Sequence, residues 1–522
     1  MAAIELGDDG AVVIIGSGAG GGTLAHELTR RGIKVVMLEA GRRQSLASFS
    51  QDPNAAFGQL TWLDPRNSSG NWDPARNNPG LPAWHCKTVG GTTVNWTAAT
   101  PRLQASEVRA RTRYGAIEGT SLIDWPIPYG ELLHYYQQAE RRMGVTRRNG
   151  VPGLPASNNF KVMYAGAKKR GYRRVHSGHM AINPRPFDGR GYCIQQGFCV
   201  QGCKTGAKWS TLYTEIPRAE ATGNLDLRIE CTATRIEHGA DGRVNAVIYR
   251  DAAGVEQRQK ARLVCVAGNS IETPRLLLLS ESAKFPQGLA NSSDQVGRNY
   301  CRHVCGFTWG IFDKPIEFWR GAVLSGVIED EVVLNPKRGF VGGYRLELIA
   351  LDLPTIPLVG LPYGWGRDYA DILENYRNMA GMFCNGEDLP RATNRITLDP
   401  KMKDAHGLPV AHVHVDEHAN DTALRDHAHR QATGVYEAVG ARRVVRSAVP
   451  PATHNMCTAR MSADPKDGVT NLHGRAHDVP NLFISDGSAL STPGAANPTL
   501  TIVSLALRQA EYLAQEMAAR NL

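Results

Sequence analysis

Residues 11–39 constrain this chain more than any other stretch. Ala11-Val12-Val13-Ile14-Ile15 is a short apolar run rich in β-branched residues, as a buried parallel strand requires. Gly16-Ser17-Gly18-Ala19-Gly20-Gly21 follows at once. Thr23 to Arg31 then reads as a helix closed by Gly32, and Lys34 to Leu38 as a second apolar strand ending in Glu39. In a strand, G-x-G-x-x-G, helix, strand, acid unit each glycine has a task. Gly16 permits the tight turn, Gly18 lets a pyrophosphate approach the backbone, and Gly21 lets helix and strand pack closely. The helix N-terminus offers amide groups and partial positive charge to the phosphate. Glu39, 21 residues after Gly18, is placed to accept hydrogen bonds from a ribose hydroxyl. The unit predicts a dinucleotide site; by itself it does not choose between FAD and NAD.

Composition removes several other classes. A chain of 522 residues with 42% hydrophobic and 21% charged residues has the balance of a folded protein, not a disordered one. Its length suits two to four domain-sized units. The 54 glycines follow no G-X-Y register, which excludes collagen. The net charge of +9 is spread along the chain without a basic block, so no nucleic-acid partner is expected. There is no apolar window long enough for a transmembrane helix. Met1 to Gly10 is acidic and lacks the features of a signal peptide, so the mature chain is expected to start near Met1. Ten cysteines are too sparse for a disulfide scaffold, and most are read as buried, inert thiols.

Further motifs choose the cofactor. Val89-Gly90-Gly91-Thr92-Thr93-Val94-Asn95-Trp96 follows a Pro/Asn/Gly-rich loop from Asp64 to Pro82. Cys265-Val266-Ala267-Gly268 and Ile271-Glu272-Thr273-Pro274-Arg275-Leu276-Leu277 read as strand, tight turn and helix start. Then come His454-Asn455-Met456-Cys457-Thr458, Pro480 to Ser488, and Gly494-Ala495-Ala496-Asn497-Pro498-Thr499. In this order the motifs resemble the glucose–methanol–choline (GMC) oxidoreductase family, from Val12 to Leu513 and most weakly between Arg302 and Glu387. The resemblance implies an α/β fold (α+β overall). A Rossmann-like FAD-binding domain would take residues 1–125, 190–300 and 450–522. A substrate domain, an antiparallel sheet backed by helices, would take 126–189 and 301–449. It further implies FAD, held by Gly16, Gly18, Gly21, Glu39, Gly90, Gly91, Thr92, Asn95, Asp486, Gly487, Asn497, Pro498 and Thr499.

The resemblance also carries two catalytic positions, His454 and Asn497, which in the family face flavin N5. The residue types suit the chemistry. Alcohol oxidation needs the hydroxyl proton removed as hydride leaves carbon, and a neutral imidazole accepts a proton near neutral pH. Asn holds the substrate oxygen in line without competing for that proton. Cys457 stands where the family usually has Gly, which questions the local backbone more than the role of His454. His473 and His477 read as structural. The stretch His406, His412, His414, His418, His427 and His429 fits no compact metal-ligand set.

Cys193, Cys199 and Cys203 form a C-x5-C-x3-C run packed with glycine. Soft thiolates bind zinc or iron–sulfur clusters; zinc usually takes four ligands, whereas three thiolates suit a [3Fe–4S] cluster. Zinc, reduced thiols and a disulfide stay open as alternatives. The spacing matches that in catalytic subunits of bacterial FAD-dependent sugar dehydrogenases of the GMC family, which carry such a cluster. The resemblance therefore implies a dehydrogenase oxidising a CH–OH group of a sugar, glycoside or polyol, with electrons passing to an external acceptor such as a cytochrome. It implies a small accessory subunit bearing a twin-arginine signal, a possible cytochrome c subunit, and export of the folded pair to the periplasm, with the cytoplasm as the alternative. A GMC oxidase or dehydrogenase acting on a non-sugar alcohol, without a cluster relay, is the competing reading. Trp319, Tyr344, Tyr363, Trp365 and Tyr369 could stack on a sugar face, although scattered aromatics more often belong to the core.

Overall fold

The computed structural model describes residues 3–58, 60–72, 83–353, 356, 360–361 and 364–522. Its first layer is a five-stranded parallel sheet ordered Leu482–Ile484, Leu263–Val266, Val12–Ile15, Val35–Leu38, Leu225–Arg228. The three central strands are buried at every position, as expected where both faces are covered. On one face Val12, Ile14, Val35, Met37, Leu263 and Cys265 meet Leu24, Ala25 and Leu28 of the helix Ala19–Thr29, together with Ala510 and Leu513 of the helix Thr499–Ala518. On the other, Val13, Ile15, Val36, Val264 and Val266 pack on Ile236, Val247 and Tyr249, which belong to a three-stranded antiparallel sheet.

From Val12–Ile15 the chain builds outward to Val35–Leu38 and Leu225–Arg228, then returns to place Leu263–Val266 on the opposite side. The strand order reverses beside Ile15, the position at which open α/β sheets bind ligands. The first helix begins at Ala19, one residue past Gly18, rather than at Thr23. Glycine is a poor helix former, but packing overrides propensity here. A Cβ on Gly20 would sit 1.6 Å from the Ser485 carbonyl oxygen, and one on Gly21 2.0 Å from the Gly16 carbonyl oxygen.

The second large layer is a six-stranded antiparallel sheet ordered Arg443–Arg446, Val304–Ile311, Met379–Gly386, Tyr344–Leu348, Val327–Ile328, Val175–His176. One face packs Val304, Leu346, Met382 and Cys384 against the helices Ala419–Glu437 and Asn158–Lys169. Side chains alternate across a strand, so Phe307, Phe383 and Glu347 point the other way. Phe307 pairs with Phe383, and Phe383 with Glu347, giving one row across three strands. The α/β class and the two kinds of sheet agree with expectation.

The glycines predict a contrast. Gly20→Ala should lose several kcal/mol, or the fold itself, because backbone cannot yield to the new methyl. Gly18→Ala meets nothing nearer than 4.0 Å, so it should keep the thermal midpoint and lose cofactor. Thermal melts and flavin content of the two variants check this.

Candidate active site

A cavity of about 510 Å³ runs from the glycine loop to the face of the antiparallel sheet opposite its helices. Gly16, Gly18, Glu39, Gly91, Thr92, Asn95, Asp486, Gly487, His454, Asn497, Pro498 and Thr499 all line it. Gly21 and Gly90 stand behind the wall. Gly21 seats the helix, and Gly90, at φ 93, donates its N–H to Ser17 Oγ at 2.9 Å. Gly18 and Gly91 face each other so closely that a Cβ on Gly91 would lie 3.0 Å from the Gly18 Cα. Glu39 has a local task beside any ribose contact. Its Oε2 accepts from Ser17 N at 3.1 Å and Ser17 Oγ at 2.6 Å, and its Oε1 from Gly41 N at 2.8 Å. Burial pushes its carboxyl pKa upward against those donors. Asp486 ties the opposite wall together. It accepts from Asn269 N at 2.9 Å and Thr273 Oγ1 at 2.5 Å on one oxygen, and from Ser488 N at 2.8 Å on the other.

His454 and Asn497 lie on the same cavity. Removal from bulk water pushes the His454 pKa down to about 4, so the ring is neutral near pH 7. Its Nδ1 lies 2.9 Å from Nδ1 of His303, a buried partner that no sequence motif marked. Cys457 adopts φ 72, the left-handed region where a family glycine would be at ease. A bond from its N–H to the Gly487 carbonyl at 3.1 Å holds it there. Asn497 donates through Nδ2 to Glu347 Oε2 at 3.2 Å, and its Oδ1 is buried without a partner among the described residues. Burial raises the Glu347 pKa to about 7. Beside it Arg345 is fully buried, bonded to Glu329 at 3.2 Å and to the Ala495 carbonyl. Phe307, Phe383, Val323, Leu324, Ile349 and Leu351 complete an apolar roof.

Four of the five aromatic residues that could stack on a sugar face lie elsewhere. Trp319 stacks on Tyr376 at 4.7 Å, Tyr344 bonds His427 at 2.9 Å, and none of Trp319, Tyr344, Trp365 and Tyr369 lines the cavity. Tyr363 and part of the Asp64–Pro82 loop lie outside the described residues. His473 stacks on Tyr512 at 3.9 Å. His412 and His414 share a strand face and both meet Ser69 Oγ, at 2.8 and 3.0 Å.

Cys193, Cys199 and Cys203 sit just behind the cavity. The turn Cys199–Gln201 presents Val200 and Gln201 to it, and Asn95 Nδ2 donates to the Val200 carbonyl at 2.9 Å. Burial, then the neighbouring Cys199 thiol, push the Cys193 thiol up to about 12. Amide N–H groups reach two of the sulfurs: Lys208 N lies 3.5 Å from Cys203 Sγ, and Gln195 Nε2 lies 3.7 Å from Cys193 Sγ. The buried Lys208 ammonium sits on the Val94, Trp96 and Cys199 carbonyls at 2.8, 2.8 and 2.5 Å. Burial lowers its pKa to about 8. Among the described residues no group of three or more His, Cys, Asp or Glu side chains converges on a single ion. Amide donors and a buried cation beside the sulfurs are what an anionic [3Fe–4S] cluster would call for, were one bound.

With this geometry in view, comparison with known proteins is direct. The two GMC oxidoreductase family profiles match residues 19–305 and 390–506. The chain is 32% identical over 539 residues to 2-methyl-1,2-propanediol dehydrogenase of Mycolicibacterium austroafricanum, covering 97% of this chain and 95% of that one. It is 29% identical over 553 residues to the fructose dehydrogenase large subunit of Gluconobacter japonicus, covering 97% and 98%. Among solved structures, pyridoxine 4-oxidase from Mesorbium loti superposes with a TM-score of 0.65 at 16% identity, covering 96% of this chain and 98% of that one, which speaks to the fold. The chain belongs to the GMC oxidoreductase family. It is an oxidoreductase acting on CH–OH donors of the alcohol or sugar type. The family implies FAD, and the residues fit it: a glycine-lined cradle at the strand-order reversal, a buried acid beside it, and an unpaired Asn497 Oδ1.

The two shifted groups predict the pH profile. The His454 ring stays unprotonated from about pH 9 to about pH 6, so substrate-driven flavin reduction should fall only as pH approaches 4, not at the ordinary 6.5. Glu347 is protonated below about 7 and ionised above. Any step near pH 7 should therefore vanish in Glu347→Gln. Rapid-mixing reduction of both proteins across pH checks it.

Proposed function

We propose that this chain is an FAD-dependent dehydrogenase that oxidises a CH–OH group of a sugar, glycoside or polyol. FAD, when bound, supplies the hydride acceptor at N5. His454 takes the hydroxyl proton. Asn497 donates one Nδ2 hydrogen to the reacting oxygen and orients it, while Glu347 holds the other from behind. The apolar roof of Phe307 and Phe383 keeps water from the reacting carbon, and Gly16, Gly18, Glu39, Asp486 and Gly487 hold the cofactor. The observation that carries the reading is one cavity shared by the glycine cradle, His454 and Asn497. His454→Ala should cut flavin reduction about 10²–10⁴-fold while FAD stays bound, and Asn497→Ala should cut it less. An unchanged rate in the first variant removes His454 from the chemistry.

The dehydrogenase reading, as against an oxidase, rests on Cys193, Cys199 and Cys203. We propose that they hold a [3Fe–4S] cluster, which when bound supplies one-electron transfer towards an external acceptor such as a cytochrome. Support comes from the cysteine turn forming part of the cavity wall and from the buried Lys208 beside it. A small accessory subunit with a twin-arginine signal, a cytochrome c subunit and a periplasmic location belong to the same proposal. Anaerobically purified protein should contain iron and sulfide and give a paramagnetic signal when oxidised. Cys199→Ser should lose the signal yet reduce its flavin with substrate at the wild-type rate. An iron-free, silent wild type would return the oxidase reading.

A further inference from the structure

We infer that His303 is a positioning residue that fixes which nitrogen of His454 carries the proton, leaving Nε2 bare towards the cavity. The inference rests on His454 being the base. Backbone register brings the two rings together. Cys301 and Met456 form an antiparallel bridge, N–H to carbonyl at 3.2 and 2.9 Å, which sets residue 303 opposite residue 454. His303 itself adopts φ 65, a left-handed conformation that costs a side-chain-bearing residue about 1 kcal/mol or more. The Asp388 carboxylate holds it there, accepting from Arg302 N at 2.8 Å and His303 N at 3.2 Å. The outcome is a fully buried imidazole turned edge-on to His454, with rings at 87° and centroids 5.0 Å apart.

At 2.9 Å the two Nδ1 atoms are within hydrogen-bond distance, so one carries a proton and the other offers a lone pair. Two lone pairs, or two N–H groups, would repel at that distance. The base role of His454 breaks the symmetry. Its Nδ1 is taken up by His303, so the nitrogen left to meet a substrate in the cavity is Nε2, which must be bare to accept a proton. A neutral ring bare at Nε2 is protonated at Nδ1. His303 is then the acceptor and His454 Nδ1–H the donor. His454 has one proton to place, and placing it on Nδ1 leaves Nε2 as the base. The reverse tautomer would point an N–H at the substrate and could not accept its proton.

Three holoproteins test this: wild type, His303→Asn and His303→Gly. Asn and Gly both tolerate positive φ; Asn restores an acceptor near the lost Nδ1, and Gly does not. With FAD content unchanged, His303→Gly should slow flavin reduction at saturating substrate about tenfold or more, with KM within about twofold. His303→Asn, or His303→Gly with added imidazole, should recover most of the rate. Nitrogen NMR of labelled histidine, assigned by the His454→Ala spectrum, should show wild-type His454 bare at Nε2 and protonated at Nδ1. A proton on His454 Nε2 in the wild type overturns the inference, as does a wild-type rate in His303→Gly. Failure of both rescues in proteins that keep FAD also overturns it. If His303→Gly does not fold, the wild-type spectrum and the Asn variant decide. The nitrogen spectrum reads the tautomer whether or not His454 is the base, so a fast His454→Ala enzyme would sink the base assignment separately.

Discussion

The structure depends on a near-contact of backbones where the order of the parallel sheet reverses. Gly16 lies against Ala267 and Gly20 against Ser485, so closely that any Cβ would overlap carbonyl oxygen. These are the residues that follow strands ending at Ile15, Val266 and Ile484. Their approach lets three distant parts of the chain share one cradle. Ser485 leads directly into Asp486, which caps the short turn Gly487–Ala489 and bonds the start of the helix Asn269–Leu279. The segment 457–461 then runs along that turn, with N–H groups of Cys457, Ala459 and Met461 on the carbonyls of Gly487, Ser488 and Ala489. Thus the packing that forms the nucleotide cradle also carries His454 to its place.

Electrostatics shape the other end of the cavity. Arg345 is bonded to Glu329, and it also donates to the Ala495 and Arg102 carbonyls. It joins the antiparallel sheet to the segment just before Asn497. A buried cation with hydrogen bonds on several sides is costly to unpair, about 3–5 kcal/mol when a partner is removed. At Glu347 burial outweighs the pull of Asn497 and Arg345 and raises the carboxyl pKa to about 7. The groups nearest the reacting atoms are therefore close to neutral: His454, His303, Asn497 and, below about pH 7, Glu347. In so dry a place a fixed charge would have to be matched by another.

How much of this was legible depended on the range of the interaction. The strand, glycine loop and following strand are local, so Val12–Leu38 could be read directly, save that the helix starts four residues early on glycines pinned by tertiary contact. Asp486, Gly487 and Asn497 were legible through motif order and do line the cavity. His303, Glu347, Phe307 and Phe383 were not. Glu347, Phe307 and Phe383 come from antiparallel strands whose partners lie far away in sequence, where a one-residue change in register would turn each to the opposite face, and His303 directly precedes such a strand. Cys457 left a trace, since a residue where glycine is usual points to positive φ. The stacking of Trp319 on Tyr376 agrees with the reading that scattered aromatics more often belong to the core.

The antiparallel sheet thus does more than roof the substrate. His454 lies in the 301–456 bridge region and Asn497 just before the C-terminal helix, both in irregular chain that could not hold a side chain within a fraction of an ångström unaided. Each is backed by a residue of the sheet or its threshold. His303 precedes the strand Val304–Ile311, and Glu347 lies within Tyr344–Leu348. The two supports differ in chemistry as their clients do. A base needs an acceptor behind it to direct its lone pair forward, which an imidazole nitrogen provides. An orienting amide needs an acceptor for one hydrogen of its NH₂ so that the other is aimed at the substrate oxygen, which a carboxyl provides. Glu347 lies in this sheet and His303 directly before one of its strands, so both supports are anchored to the same layer.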